Sequence, residues 1–150
     1  MRVILFALLA SALSGCYQTE NGLVFGKPDY ENRNIEVSQI DLDILLKADA
    51  LLKDETLWRK DAVRVCSESS TLNLYCVLER ASIEVTGKYV HRQPALQEIR
   101  FAIDDCYRNR WSVHRLADFN AHPDTSFSDI KFLIANAVGT VKSKLRITTP

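Results

Sequence analysis

The chain has 150 residues, 47% of them hydrophobic and 25% charged, with a formal net charge of +0 and a pI near 6.8. That length holds one ordinary domain, and the composition is that of a globular protein rather than a disordered, collagen-like or disulfide-dense one. A nucleic-acid-binding domain normally carries a basic excess, and none is present.

The N-terminus reads as an export signal. Met1-Arg2 supplies one positive charge, Val3 to Ala12 is an apolar run broken only by Ser11, and Leu13-Ser14-Gly15-Cys16 follows. A charged start, a short apolar stretch and small residues at its end describe a secretory leader. The run is well short of the roughly 18–20 residues that span a bilayer. Leu13-Ser14-Gly15-Cys16 also resembles the lipobox of bacterial lipoproteins. The resemblance implies cleavage of residues 1–15, diacylation of Cys16 on sulfur (the palmitate-type modification) and commonly acylation of the new amine. The physics of anchoring agrees: each buried CH₂ contributes about 0.8 kcal/mol, and two chains hold stably where one does not. An ordinary secretory leader with an incidental Cys is the competing reading. In the lipoprotein family an Asp after the Cys favours the inner membrane, so Tyr17 implies lipid-anchored residence in the outer membrane. Loss of Arg2 leaves the mature chain with one net negative charge, no reason to seek nucleic acid or anionic headgroups.

Residues 16–37 read as a lipidated, flexible tether: polar from Tyr17 to Gly22, a short apolar island at Leu23-Val24-Phe25, then turn-rich from Gly26 to Asn34. The island is either an edge strand docked on the domain or part of a disordered linker. A helical domain over residues 38–143 follows, with 144–150 as a C-terminal tail. Ser38 with Asp41 fits a capping box, and Ile44, Leu45, Ala48, Leu51 and Leu52 repeat at helical spacing, so a helix is predicted from Gln39 to Lys53. Trp58 lies beyond it and closes over the core. Ala62 to Cys66 is β-branched and short, a strand or an extended loop. A second helix runs from about Leu72, capped by Ser70 or Thr71, to Thr86, and stops at Gly87. Leu74, Val77, Leu78, Ala81 and Val85 form one stripe on it, and Leu72, Cys76 and Ile83 a second, which predicts a sandwiched, central helix.

Pro94 opens the third helix, striped by Ala95, Ile99, Ala102 and Cys106 with Leu96, Ile103 and Tyr107 beside them. Trp111 to Phe119 can form a short helix, and Asn120 to Asp124 is a turn. The last helix, capped by Ser126 with Asp129 or by Asp124, presents Phe127, Ile130, Leu133, Ile134, Ala137 and Val141 on one face. The predicted fold is all-α: a compact bundle of four to five helices with at most a small β element, with no internal repeat.

Certain landmarks recur in a recognisable order: Ala50-Leu51-Leu52, Trp58, Tyr75 to Ala81, Leu116-Ala117-Asp118-Phe119-Asn120, the Pro123-Asp124-Thr125 turn and the closing helix. This order is similar to a family of small, uncharacterised bacterial and phage helical domains and covers about Asp41 to Val141. The resemblance implies a helical fold and carries no activity. The leader, Cys66 and Cys106 depart from it.

Beyond Cys16, three cysteines remain, Cys66, Cys76 and Cys106, so an oxidising compartment allows one disulfide and one leftover thiol. An antiparallel hairpin of the second and third helices would bring Cys76 and Cys106 to similar heights; Cys66 with Cys106 is the competitor. The family resemblance makes Cys76 a core residue and thereby implies the Cys66–Cys106 pairing. No Cys-x-x-Cys is present to suggest redox catalysis.

The remaining candidates lie between residues 104 and 124. His114, Asp118 and His122 are spaced four and four, a ligand pattern if one helix carries all three, but Asn120 and Pro123 interrupt it, so no metal is expected. Asp104 and Asp105 point about 100° apart on a helix, and Asp104 with Arg108 reads as a surface ion pair. Asp118 and Asn120 suit backbone bonding in a turn. Tyr107, Trp111 and His114 are a candidate recognition patch. Phosphate loops, nucleophile elbows and zinc-protease motifs are missing, and no cofactor is expected. The expectation is a non-enzymatic, membrane-anchored binding or accessory module of the bacterial envelope with an envelope protein as partner. A lipid-anchored hydrolase using groups from residues 110–124 is the alternative.

Overall fold

A computed structural model describes residues 33–148. The leader, Cys16 and the Leu23–Phe25 island lie outside the described residues. Five α-helices follow one another: α1 Gln39–Leu51, α2 Leu74–Thr86, α3 Pro94–Cys106, α4 Arg115–Ala121 and α5 Phe127–Thr148. Single 3₁₀ turns lie at Glu55–Leu57 and Arg108–Arg110. The all-α bundle expected from the sequence is therefore observed. Its β content among the described residues is one isolated parallel bridge between Trp58 and Leu72. The β-branched segment 62–66 belongs to the extended loop between those two residues.

Helix starts follow local capping chemistry. Ser38 is extended, and its backbone N–H donates to Asp41 Oδ2 at 2.8 Å. Asp41 is buried, and its other oxygen accepts from the Gln93 side chain at 2.8 Å and from the Ala95 N–H at 3.1 Å. One carboxylate thus serves the N-termini of both α1 and α3, where negative charge is stabilising. α2 begins two residues later than the apolar pattern suggests, because Asn73 and not Ser70 or Thr71 caps it, accepting from the Cys76 N–H at 2.8 Å. It ends at Gly87, whose φ of 78° is the left-handed conformation that glycine tolerates best. Pro94 sits in the first turn of α3.

The core draws on all five helices: Ile44 and Leu45 of α1, Leu74 and Leu78 of α2, Leu96 and Ile99 of α3, Phe119 of α4, and Leu133 and Ile134 of α5 are fully enclosed. The predicted stripe of α5 is buried from Ile130 to Val141. α1 packs on α2 and α5, α3 on α5, α1 and α4, and α2 on α4.

Two expectations about packing are corrected. α2 is not sandwiched, since Ile83 is 45% and Val85 36% exposed. The enclosed helix is α3, buried at every residue from Ala95 to Asp104 although Gln97, Glu98, Arg100 and Asp104 are polar. Its polar groups are matched by partners on α3 itself and on neighbouring segments, as burial requires. Arg100 donates to Gln97 and to the carbonyl of His91, Lys144 of α5 donates to Glu98 at 2.5 Å, and Arg115 lies 3.2 Å from the Asp104 carboxylate. Arg108, expected to pair with that carboxylate, bonds instead to the backbone carbonyl of Asp104.

The second correction concerns the cysteines. Cys66 is bonded to Cys76, with 5.4 Å between their Cα atoms. The Cys66–Cys106 pairing is overturned. α2 and α3, though consecutive, share no broad interface, so their hairpin does not set the pairing. The 58–73 loop does, folding back on the first turn of α2. There Asn73 Nδ2 donates to Asp61 Oδ1 at 2.6 Å and to the Val63 carbonyl at 2.7 Å. Cys76 is nonetheless a core residue, 1% exposed.

Residues 33–37, placed in the tether by composition, lie against the domain. Val37 is buried, and Arg33 grips Asp105 through two bonds of 2.8 and 2.9 Å while its guanidinium covers the Phe101 ring. At the other end α5 continues to Thr148, through residues that composition assigned to a tail.

Candidate functional site

The segment from Tyr107 to Asp124 collects most of the residues singled out in the sequence, and α4 organises it. This seven-residue helix is too short to be stable alone. It is held at both ends by side chains. Asp118 Oδ2 accepts from the backbone N–H groups of Ser112, Val113 and His114 at 3.0, 2.7 and 2.9 Å, and from the Ser112 hydroxyl. Burial alone would raise the Asp118 pKa, but these bonds outweigh it and hold the carboxyl down at about 2. In return, His114 Nδ1 accepts from the Ala117 N–H at 3.2 Å, capping the helix.

Asn120, at the far end, is completely buried and uses every polar valence of its amide. Its Oδ1 accepts from Trp58 Nε1 at 2.8 Å and from the Leu74 N–H at 3.0 Å. Its Nδ2 donates to the carbonyls of Arg59 at 2.9 Å and Asp61 at 2.8 Å. One side chain therefore ties α4 to the start of the 58–73 loop and to the start of α2.

The structure separates the neighbours of the three patch residues. Tyr107 faces α5: its hydroxyl donates to Asp129 at 3.0 Å, its ring lies 4.9 Å from Phe119, and Arg110 stacks over it at 4.8 Å. Burial, then the bond to Asp129, pushes its pKa up to about 12, so it remains a protonated donor. Trp111 is half-buried with the Arg115 guanidinium over its ring. His114 instead faces α2 and the α2–α3 connection, 5.5 Å from the Tyr75 ring and 6.2 Å from that of His91.

Tyr89 completes a cluster of four rings, 6.0 Å from Tyr75 and 6.3 Å from His91, with its hydroxyl 3.2 Å from His91 Nδ1. The edge-to-face angles suit the charge distribution of aromatic rings. Burial, then the positive charge of nearby Arg64 and Arg100, holds the His114 pKa below the usual imidazole value. Tyr89 is shifted upward, chiefly by burial. Half-buried Tyr75, Tyr89 and His114, exposed His91 and the adjacent guanidinium groups form a surface suited to recognition by stacking and hydrogen bonding.

Sequence reasoning missed Tyr75, Tyr89, His91, Arg64 and Arg100 as neighbours of His114. They come from α2, two loops and α3, and no fixed spacing joins them. His114, Asp118 and His122 do not converge: the first two cap α4, and His122 Nδ1 accepts from the Asp124 N–H beyond it. Among the described residues no group of three or more His, Cys, Asp or Glu is placed to hold a metal ion. Asp118 and Asn120 both carry the backbone-bonding role their residue types suggest.

The chain matches no protein-family model, no curated protein and no solved structure.

Proposed function

We propose that this chain is an outer-membrane lipoprotein of a bacterial envelope, in which acyl chains on Cys16 hold a small helical domain that acts as a non-enzymatic binding or accessory module. The observation that carries the reading is Leu13-Ser14-Gly15-Cys16 placed directly after a short apolar run. One structural feature supports it. The Cys66–Cys76 bridge is the kind of bond that persists outside the reducing cytosol. Among the described residues no helix is long and apolar enough to cross a membrane. Anchoring confines the domain to a surface and raises its effective concentration beside other envelope components. The partner is an envelope protein, and the ring cluster of Tyr75, Tyr89, His91 and His114 is the contact surface its chemistry favours.

Metabolic labelling with a clickable fatty acid tests the anchor. The native chain should take up label and fractionate with outer membranes, and Cys16→Ser should lose the label and become soluble. A native chain that carries no acyl group, or whose Cys16 is found in a disulfide and not in a thioether, refutes the reading.

A further inference from the structure

His114 occupies an unusual place for a titratable side chain, because its neutral form is a structural part. Its Nδ1 accepts the Ala117 N–H, and an amide N–H can only donate. The single proton of the neutral ring therefore sits on Nε2. A second proton would have to enter at Nδ1, where it would face the amide hydrogen and abolish the cap.

Burial and nearby positive charge oppose the charged form, and a hydrogen bond to the His114 backbone, which favours it, does not offset them. Arg64 of the 58–73 loop and Arg100 of α3 repel it, and His91 of the α2–α3 connection adds a second imidazole at 6.2 Å. From α2 it meets the Tyr75 ring, with Glu79 one turn further on acting on Tyr89. Tyr89 itself is bonded toward His91. On its own segment Asp118 accepts from the amides of residues 112–114.

We propose that His114 is a protonation switch: neutral, it caps α4 and completes the ring cluster; charged, it leaves Ala117, frees the first turn of α4 and adds a positive charge to the cluster. The shape and charge of the candidate recognition surface then change together on acidification. The direction of the His114 shift agrees. A histidine with a lowered folded-state pKa contributes its stabilisation fully above the unfolded value of 6.5, and loses it as pH falls below 6.5 toward the folded value. This inference does not depend on acylation at Cys16.

The test is NMR on the full-length chain, in detergent micelles, between pH 7.5 and 4.5. It follows the His114 imidazole and hydrogen exchange of the Ala117 amide, corrected for intrinsic rates. The expected result is titration of His114 below 6.5 with a parallel loss of Ala117 protection, roughly fivefold, the equivalent of one helix cap. His114→Asn keeps a capping oxygen without a titratable ring. It should retain protection at pH 7 and lose its pH dependence. Titration of His114 at or above 6.5, unchanged Ala117 protection through the titration, or the same pH dependence in His114→Asn would each overturn the proposal.

Discussion

Replacing Asn120 by Ala removes four hydrogen bonds from a completely buried position, and the cost can be worked bond by bond. The Leu74 N–H lies in the core and has no route to water, so stranding it costs about 1–3 kcal/mol. Trp58 Nε1 and the carbonyls of Arg59 and Asp61 belong to half-buried residues that water can reach after slight opening. Each of those bonds is worth about 0.5–1 kcal/mol net. The total is about 2.5–6 kcal/mol, a large part of the roughly 5–15 kcal/mol that stabilises a domain. Urea unfolding followed by tryptophan fluorescence and far-ultraviolet circular dichroism measures it. At a slope of about 2 kcal/mol/M the midpoint falls by about 2 M. Asn120→Asp discriminates the two halves of the amide. It keeps the acceptor for Trp58 and Leu74 but turns an anionic oxygen toward two carbonyls, so at neutral pH it should be no better than the Ala variant. A cycle with Trp58→Phe should show a coupling of about 1 kcal/mol. A loss below about 1 kcal/mol for Asn120→Ala would mean that the amide does not hold the loop and the two helices together.

Two further predictions concern the same region. The Cys66–Cys76 bond closes a loop with a sequence separation of 10, so the Cys66→Ala, Cys76→Ala double variant should lose about 3 kcal/mol in denaturant unfolding. Non-reducing peptide mapping that links Cys66 to any other cysteine would contradict the pairing. Asp118, with its pKa lowered to about 2, contributes stability that is complete above its unfolded value of 3.8 and disappears as pH falls toward 2. Asp118→Asn should be less stable at neutral pH and show a shallower acid transition between about pH 4 and 2. Equal acid transitions in the two proteins would show that the amides of residues 112–114 do not grip that carboxylate.

The sequence by itself determined what depends on neighbours along the chain. The Ser38–Asp41 cap, the stop at Gly87, the proline start of α3 and the buried stripe of α5 were all readable, because caps and helical faces are set by residues within four positions of each other. Tertiary structure alone decided which cysteines pair, which helix is enclosed and what surrounds His114. α3 reads as amphipathic until Lys144, Arg115 and Arg33 arrive from far along the chain to match its carboxylates. Asn120 looks like an ordinary turn residue, and only the close approach of residues 58–61 and 74 makes it a buried junction. Such groups are recognised by distance in space and by the cost of leaving a buried polar atom unmatched, and neither quantity is written in the order of the residues.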